Sequence, residues 1–148
     1  MDLITLLFYF SGRISRIEYW LSLLFYLLVA IILLTAVFWF GGDNHRVLFK
    51  VIAIPIVIAG SWSGFAVGIK RLHDRNKSGW WIGLFLLGPS VLSSVGSSIA
   101  NSIAFLFYFA GSAISIWALV ELGFLRGTRG PNKYGAEPFT DSDTIKRI

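Results

Sequence analysis

The residues of this chain with the greatest chemical potential lie in one stretch, Lys70-Arg71-Leu72-His73-Asp74-Arg75-Asn76-Lys77-Ser78-Gly79-Trp80-Trp81. It sets four cations, a carboxylate, an imidazole and two indoles between long apolar runs. His73-Asp74 invites comparison with metal phosphohydrolases that use such a pair. A metal centre needs further ligands at suitable spacing. The second histidine, His45, falls on the opposite side of the predicted membrane, and no other His, Asp or Glu set has ligand spacing. Asp74 is expected instead to orient His73 or Arg75, or to cap the turn before Ser78. No nucleophile–base pattern, phosphate-cradling glycine loop or nucleotide motif is present. The chain has no cysteine, which excludes disulfides, thiol catalysis and thiolate metal sites. The expectation is therefore a protein without enzymatic chemistry, metal or cofactor. Trp80 and Trp81 read as interface anchors rather than ligand-stacking platforms.

The elements that must position this stretch are set by composition. Of 148 residues, 55% are hydrophobic and 14% charged, with a mean hydropathy of +0.71. Soluble domains carry about 25% charge, and a fold this small keeps too much surface to hide so much apolar material. Lipid is the fitting solvent. Each span takes ~20 residues, so about four spans use most of the length. The net charge of +5 would suggest nucleic acid in a soluble protein. Beside apolar spans it suits topology control and anionic headgroups instead, and no nucleic-acid partner is expected.

In chain order, Leu3, Leu6, Leu7 and Phe10 share one helical face, as a short amphipathic lead-in at the interface or as a frayed terminus. No cation precedes this run and no small-x-small site follows it, so no signal peptide is expected. Ser15-Arg16-Ile17-Glu18 matches a capping box, in which Ser15 accepts from the Glu18 amide and Glu18 reaches back to the Ser15 amide. The first span then runs over about 16–40, ending in Phe38, Trp39 and Phe40 at the far interface. After a loop at Asp43–Arg46, the second span covers 47–69, with Lys50 snorkelling and Pro55 kinking it. Gly60, Gly64 and Gly68 form two overlapping Gly-x-x-x-Gly steps, a strip where another helix can pack closely. That helix belongs to this chain, to a second copy or to another membrane protein.

A third span, 79–97, starts at Ser78 or Gly79 and is interrupted by Gly88-Pro89. Ser93, Ser94, Ser97, Ser98, Asn101 and Ser102 make an uncharged turn, the serines bonding their own backbone rather than lining a wet cavity. The fourth span covers 103–124, with Gly111 and Ser115 as a further small-residue step. These elements make a transmembrane domain at 1–125. The polar tail at 126–148, rich in turn formers, argues against a long helix.

Loops alternate sides, so cations assign orientation. All of the 13 lysines and arginines except Arg46 and Lys50 fall on one side. Positive charge marks the cytoplasmic face, which places both termini there. The reading is an all-α integral membrane four-helix bundle, multi-pass, with both termini on the cytoplasmic face.

Four segments carry a resemblance: Phe10-Ser11-Gly12-Arg13-Ile14-Ser15-Arg16-Ile17-Glu18-Tyr19-Trp20, Arg71-Leu72-His73-Asp74, Ser78-Gly79-Trp80-Trp81 and Gly130-Pro131-Asn132-Lys133-Tyr134-Gly135. In this order and spacing, across nearly the whole chain, they resemble the bacterial membrane family called domain of unknown function 805. The resemblance implies a small inner-membrane protein of several helices and carries no catalytic residues with it.

All four segments fall on the predicted cytoplasmic face. Arg13, Arg16, Glu18, Arg71, His73, Asp74, Lys133 and Tyr134 are expected to converge there, with Glu18 or Asp74 paired to Arg13, Arg16 or Arg71. Such a cluster is either a structural clasp that also sets topology, or a site whose surplus cations bind a phosphate or lipid headgroup. Glu121, one turn from the end of the fourth span, is an intramembrane ionisable group. Its nearness to Arg126 and the basic loop suggests a buried pair. The expected role is interaction, assembly or association with anionic phospholipid in the bilayer; the alternative is a small transporter or channel subunit using Glu121.

Overall fold

The computed structural model describes residues 2–40, 46–99 and 102–138. Its helices are α1 (Leu3–Phe8), α2 (Arg16–Phe40), α3 (Arg46–Asp74), α4 (Trp81–Ser98) and α5 (Ala104–Leu119), and α5 runs into a π-helical turn at Val120–Phe124. Among the described residues four helical stretches are long and apolar enough to cross a membrane: Arg16–Trp39, Lys50–Asp74, Trp81–Ser98 and Ala104–Phe124. This is an all-α integral membrane protein. Side chains such as Ile32, Leu34, Ile58, Phe105 and Phe109 point outward, as suits hydrocarbon, where the backbone must satisfy itself and apolar side chains need no cover. His45, most of the predicted Asp43–Arg46 loop, Asn101, Lys146 and Arg147 lie outside the described residues.

The capping box starts α2 as its residue types require. The Ser15 amide donates to Glu18 Oε2 at 2.7 Å, and the Glu18 amide donates to Ser15 Oγ at 3.2 Å. Two of the orphan donors of a helix N-terminus are thereby satisfied.

The second span is longer than its hydropathy suggests. α3 continues to Asp74 and takes in Lys70, Arg71, His73 and Asp74, which were expected in a loop. It ends where Asn76 adopts the left-handed conformation, φ 57°. The Asn76 amide donates to His73 O and the Lys77 amide to Leu72 O, both at 2.9 Å. That pair of bonds is a Schellman motif, with asparagine in the place glycine usually takes. α3 also continues through Pro55.

Two further expectations are corrected. Gly88-Pro89 does not interrupt the third span, because α4 is helical from Trp81 to Ser98. One lost rung is tolerated where a neighbour packs closely: a Cβ at Gly111 of α5 would stand 3.3 Å from Pro89 O. The serines from Ser93 to Ser98 lie on α4 rather than in a turn. Ser94, Ser97 and Ser98 donate to carbonyls three or four residues back at 2.8–3.0 Å. Ser115 bonds Gly111 O in the same way at 3.1 Å.

The buried core gathers at the basic end: Ile14, Tyr19, Val67, Leu72, Ile82, Phe85 and Leu122. Leu6 and Leu7 of α1 pack against it, while Leu3 and Ile4 point outward. Of the glycine strip on α3, Gly68 makes a close approach, since a Cβ there would overlap Ile82. Gly60 and Gly64 have open space around the same position.

Candidate functional site

A helix leaves its last carbonyls without intrahelical donors. At a membrane boundary those carbonyls need other partners, and here side chains from elsewhere in the chain supply them. The π-helical turn closing α5 presents four in succession. Arg71 Nε donates to Leu122 O at 2.7 Å and Trp20 Nε1 to Gly123 O at 3.1 Å. Arg16 Nη1 donates to Phe124 O at 3.2 Å, and Arg71 Nη2 donates to Leu125 O. A Cβ at Gly123 would stand 2.9 Å from the Trp20 ring, so the indole needs a glycine there. At the end of α1, Lys70 Nζ takes Thr5 O at 2.8 Å and also Leu6 O. Cations at helix C-termini also complement the negative end of the macrodipole.

Asp74 sits at the centre of this arrangement. Its Oδ1 accepts from Arg13 Nη2 at 2.9 Å and Arg13 Nε at 3.1 Å, while Oδ2 accepts from Arg71 Nη1. Arg13 uses its remaining N–H groups on three carbonyls of the tail: Thr128 at 2.6 Å, Gly130 at 2.7 Å and Gly135 at 3.3 Å. All five guanidinium donors are engaged, the full capacity of the group. Arg13, Arg71 and Asp74 are all buried. Two cations thus face one carboxylate, and the excess positive charge is solvated by backbone oxygen. Gly127 passes so close that a Cβ would collide with the Asp74 carboxylate.

The tail closes over His73. Asn132 Nδ2 donates to His73 O at 2.9 Å and to Thr128 Oγ1 at 2.8 Å. The Thr128 amide and hydroxyl both donate to Asp74 O, at 2.8 and 3.0 Å. Asn132 and Gly135 exchange a pair of 3.0 Å backbone bonds, with Gly130 and Gly135 at positive φ. Tyr134 consequently lies flat on the His73 ring, 3.8 Å between centroids and 8° between planes. His73 Nδ1 lies 3.2 Å from Gly12 O.

The expected convergence therefore occurs for Arg13, Arg71, His73, Asp74 and Tyr134. Asp74, rather than Glu18, holds the arginines, because Glu18 is occupied by the capping box. Asp74 orients neither His73 nor Arg75. Arg16 joins through a carbonyl, and Lys133 lies at the rim with Nζ 4.9 Å above the Tyr134 ring. Glu121 is buried and paired to the basic loop, with Arg75 and Lys77 each 3.0 Å from Oε1, while Arg126 is not its partner. Arg126 contributes its carbonyl to Arg75 instead. Lys77 also lies 5.5 Å over Trp81 and 5.7 Å over Trp117. Sequence reasoning missed Lys70, Gly127, Thr128 and Asn132 as parts of the site. Lys70, which opens the basic stretch, and Asn132, inside the Gly-Pro-Asn-Lys-Tyr-Gly turn, carried a signal. Among the described residues no buried side-chain nitrogen or oxygen lacks a hydrogen-bond partner, and no group of three or more His, Cys, Asp or Glu is placed to hold a metal.

A family model described as "Protein of unknown function (DUF805)" matches residues 7–136, a span that encloses Arg13, Arg71, Asp74 and the tail carbonyls they meet. The chain is 30% identical over 132 residues to the uncharacterized protein YiiR of Escherichia coli K12, covering 88% of this chain and 86% of that protein. It is 32% identical over 132 residues to the inner membrane protein YhaH of the same strain, covering 87% and 86%. No solved structure matches it.

Proposed function

The chain belongs to the DUF805 family, and from that premise we propose that it is a non-enzymatic protein of the bacterial inner membrane that associates with anionic phospholipid at the cytoplasmic leaflet. In this reading the basic end faces the cytoplasm and the Arg13–Asp74–Arg71 clasp is structural. One observation carries it: beside the cations engaged within the chain stands a second, exposed set without carboxylate partners. Arg13, Lys70 and Arg71 are buried and bonded within the chain. Arg126, Arg129 and Lys133 ring them, exposed, with no carboxylate partner among the described residues. Basic residues at the end of spanning helices attract anionic headgroups at about 1 kcal/mol each. The name of YhaH, an inner membrane protein, supports the location.

The test is lipid analysis of the protein extracted from bacterial membranes with its surrounding lipid in polymer nanodiscs. An anionic-to-zwitterionic ratio above that of the bulk membrane is expected, falling toward bulk when Arg126, Arg129 and Lys133 are all replaced by glutamine. A wild-type ratio equal to bulk contradicts the reading.

A further inference from the structure

We propose that the groove between the basic ends of α3 and α4 holds one anionic glycerophospholipid, with its headgroup at His73 and Ser78, beside the exposed Lys133 outside the lining, and an acyl chain along Phe65 and Ile82. The inference rests on the lipid association above and gives it a site.

The groove has a volume of about 470 Å³, within the range of small-molecule sites. Phe65, Ile69 and Ile82 make its walls apolar, and Gly83 keeps it open, since a Cβ there would meet nothing within 4 Å. His73, Ser78 and Tyr134 form the polar part. Trp80, 90% exposed at the rim, suits the headgroup level of a bilayer. A groove apolar along the helices and polar at their ends matches an amphiphile better than a free phosphate compound.

The polar part has a defined hydrogen-bonding character. Gly12 O can only accept, so His73 Nδ1 carries the proton in that contact. Nε2 is left without a partner among the described residues. In the neutral ring it accepts, which suits a hydroxyl on the headgroup; in the imidazolium it donates to a phosphate oxygen. The ring is held in this orientation by Tyr134 stacked on it. Lys133, exposed over Tyr134 and outside the groove lining, has no carboxylate neighbour among the described residues and supplies positive potential to a phosphate at the groove's edge. An acyl chain gains no hydrophobic free energy by leaving lipid for an apolar groove. Selectivity must therefore come from the headgroup, and removal of Lys133 should lower it about fivefold.

The experiment uses the full chain in phosphatidylcholine nanodiscs doped with a photoactivatable phosphatidylglycerol or phosphatidylcholine probe, with cross-links mapped by mass spectrometry. The glycerol probe is expected to label the Phe65–Ile82 groove in preference to the choline probe. Lys133→Gln should reduce that preference about fivefold. Gly83→Leu, which fills the groove from a position with room for its Cβ, should remove the label. Lys50→Gln, at the other end of α3, should leave it unchanged. Equal labelling by both probes, or wild-type labelling in Gly83→Leu, overturns the groove. So does loss of label to millimolar glycerol phosphate, which would mark a soluble ligand. If extracted protein stays enriched in anionic lipid while the groove is never labelled, only the site falls. If no enrichment exists either, the functional reading falls with it.

Discussion

Arg13 and Asp74, 61 residues apart in sequence, meet with Nη2 and Nε 2.9 and 3.1 Å from one carboxylate oxygen. The contact joins the connection between α1 and α2 to the last turn of α3. Arg71 holds the other oxygen and ties in the end of α5, and Arg13 reaches on to the tail. One carboxylate thereby organises four separate segments of chain. Such a network is expensive to break, because removing one partner leaves charge buried without compensation. Its donors are already committed, so ligand chemistry falls to the cations outside it.

Gly127→Ala is expected to destabilise the protein by about 1–3 kcal/mol, the range for overpacking a filled site. The added methyl would meet the Asp74 carboxylate. Chemical unfolding in detergent, followed by tryptophan fluorescence, measures it. Wild-type stability would mean that the tail does not cross Asp74 as described.

Asn76 ends α3 at φ 57°. Asn76→Gly should leave stability within a few tenths of a kcal/mol of wild type or raise it, whereas Asn76→Val should cost about 1–3 kcal/mol, the range for a side chain forced into this region. The same unfolding assay ranks them. Equal stability of the two variants would contradict a left-handed helix end.

Local chemistry was legible in the sequence, and the partners of the charges were not. The Ser15–Glu18 capping box acts over three residues and formed as its pattern required. The expected end of the second span is Ile69, where the apolar run gives way to Lys70 and Arg71, cations that ordinarily keep to water. The carbonyls of α1 and of the π-helical turn replace that water, and no residue pattern announces a carbonyl. Glu121 was expected to pair near Arg126 and the basic loop, and the turn after α3 brings the loop cations Arg75 and Lys77 to it rather than Arg126. Ser93–Ser98 looked like a turn by polarity and lie on α4 instead, while the expected bonding of serine hydroxyls to their own backbone is met by Ser94, Ser97 and Ser98.

Glu121→Gln removes the charge facing Arg75 and Lys77 and should cost about 2 kcal/mol, typical of a charged hydrogen bond. If Glu121 is only a structural partner, ion or proton flux in proteoliposomes stays at the protein-free background for wild type and variant alike. A wild-type flux abolished by Glu121→Gln would assign the carboxylate to a permeation path.

The distribution of cations predicts the orientation. A reporter fused after Ile148 is expected to be active only when it is one that functions in the cytoplasm. Activity of an exported reporter alone would invert the topology and place the basic end against the outer leaflet.

The most direct measurement is a double-mutant cycle on Arg13→Ala and Asp74→Ala, read by unfolding in detergent. A structural clasp predicts strong coupling, with the double variant about 1–3 kcal/mol more stable than the sum of the single losses, since residues in one buried network are not additive. Additivity to within about 0.5 kcal/mol would show that Arg13 and Asp74 do not depend on one another, and would contradict the clasp on which the assignment of the outer cations to lipid rests.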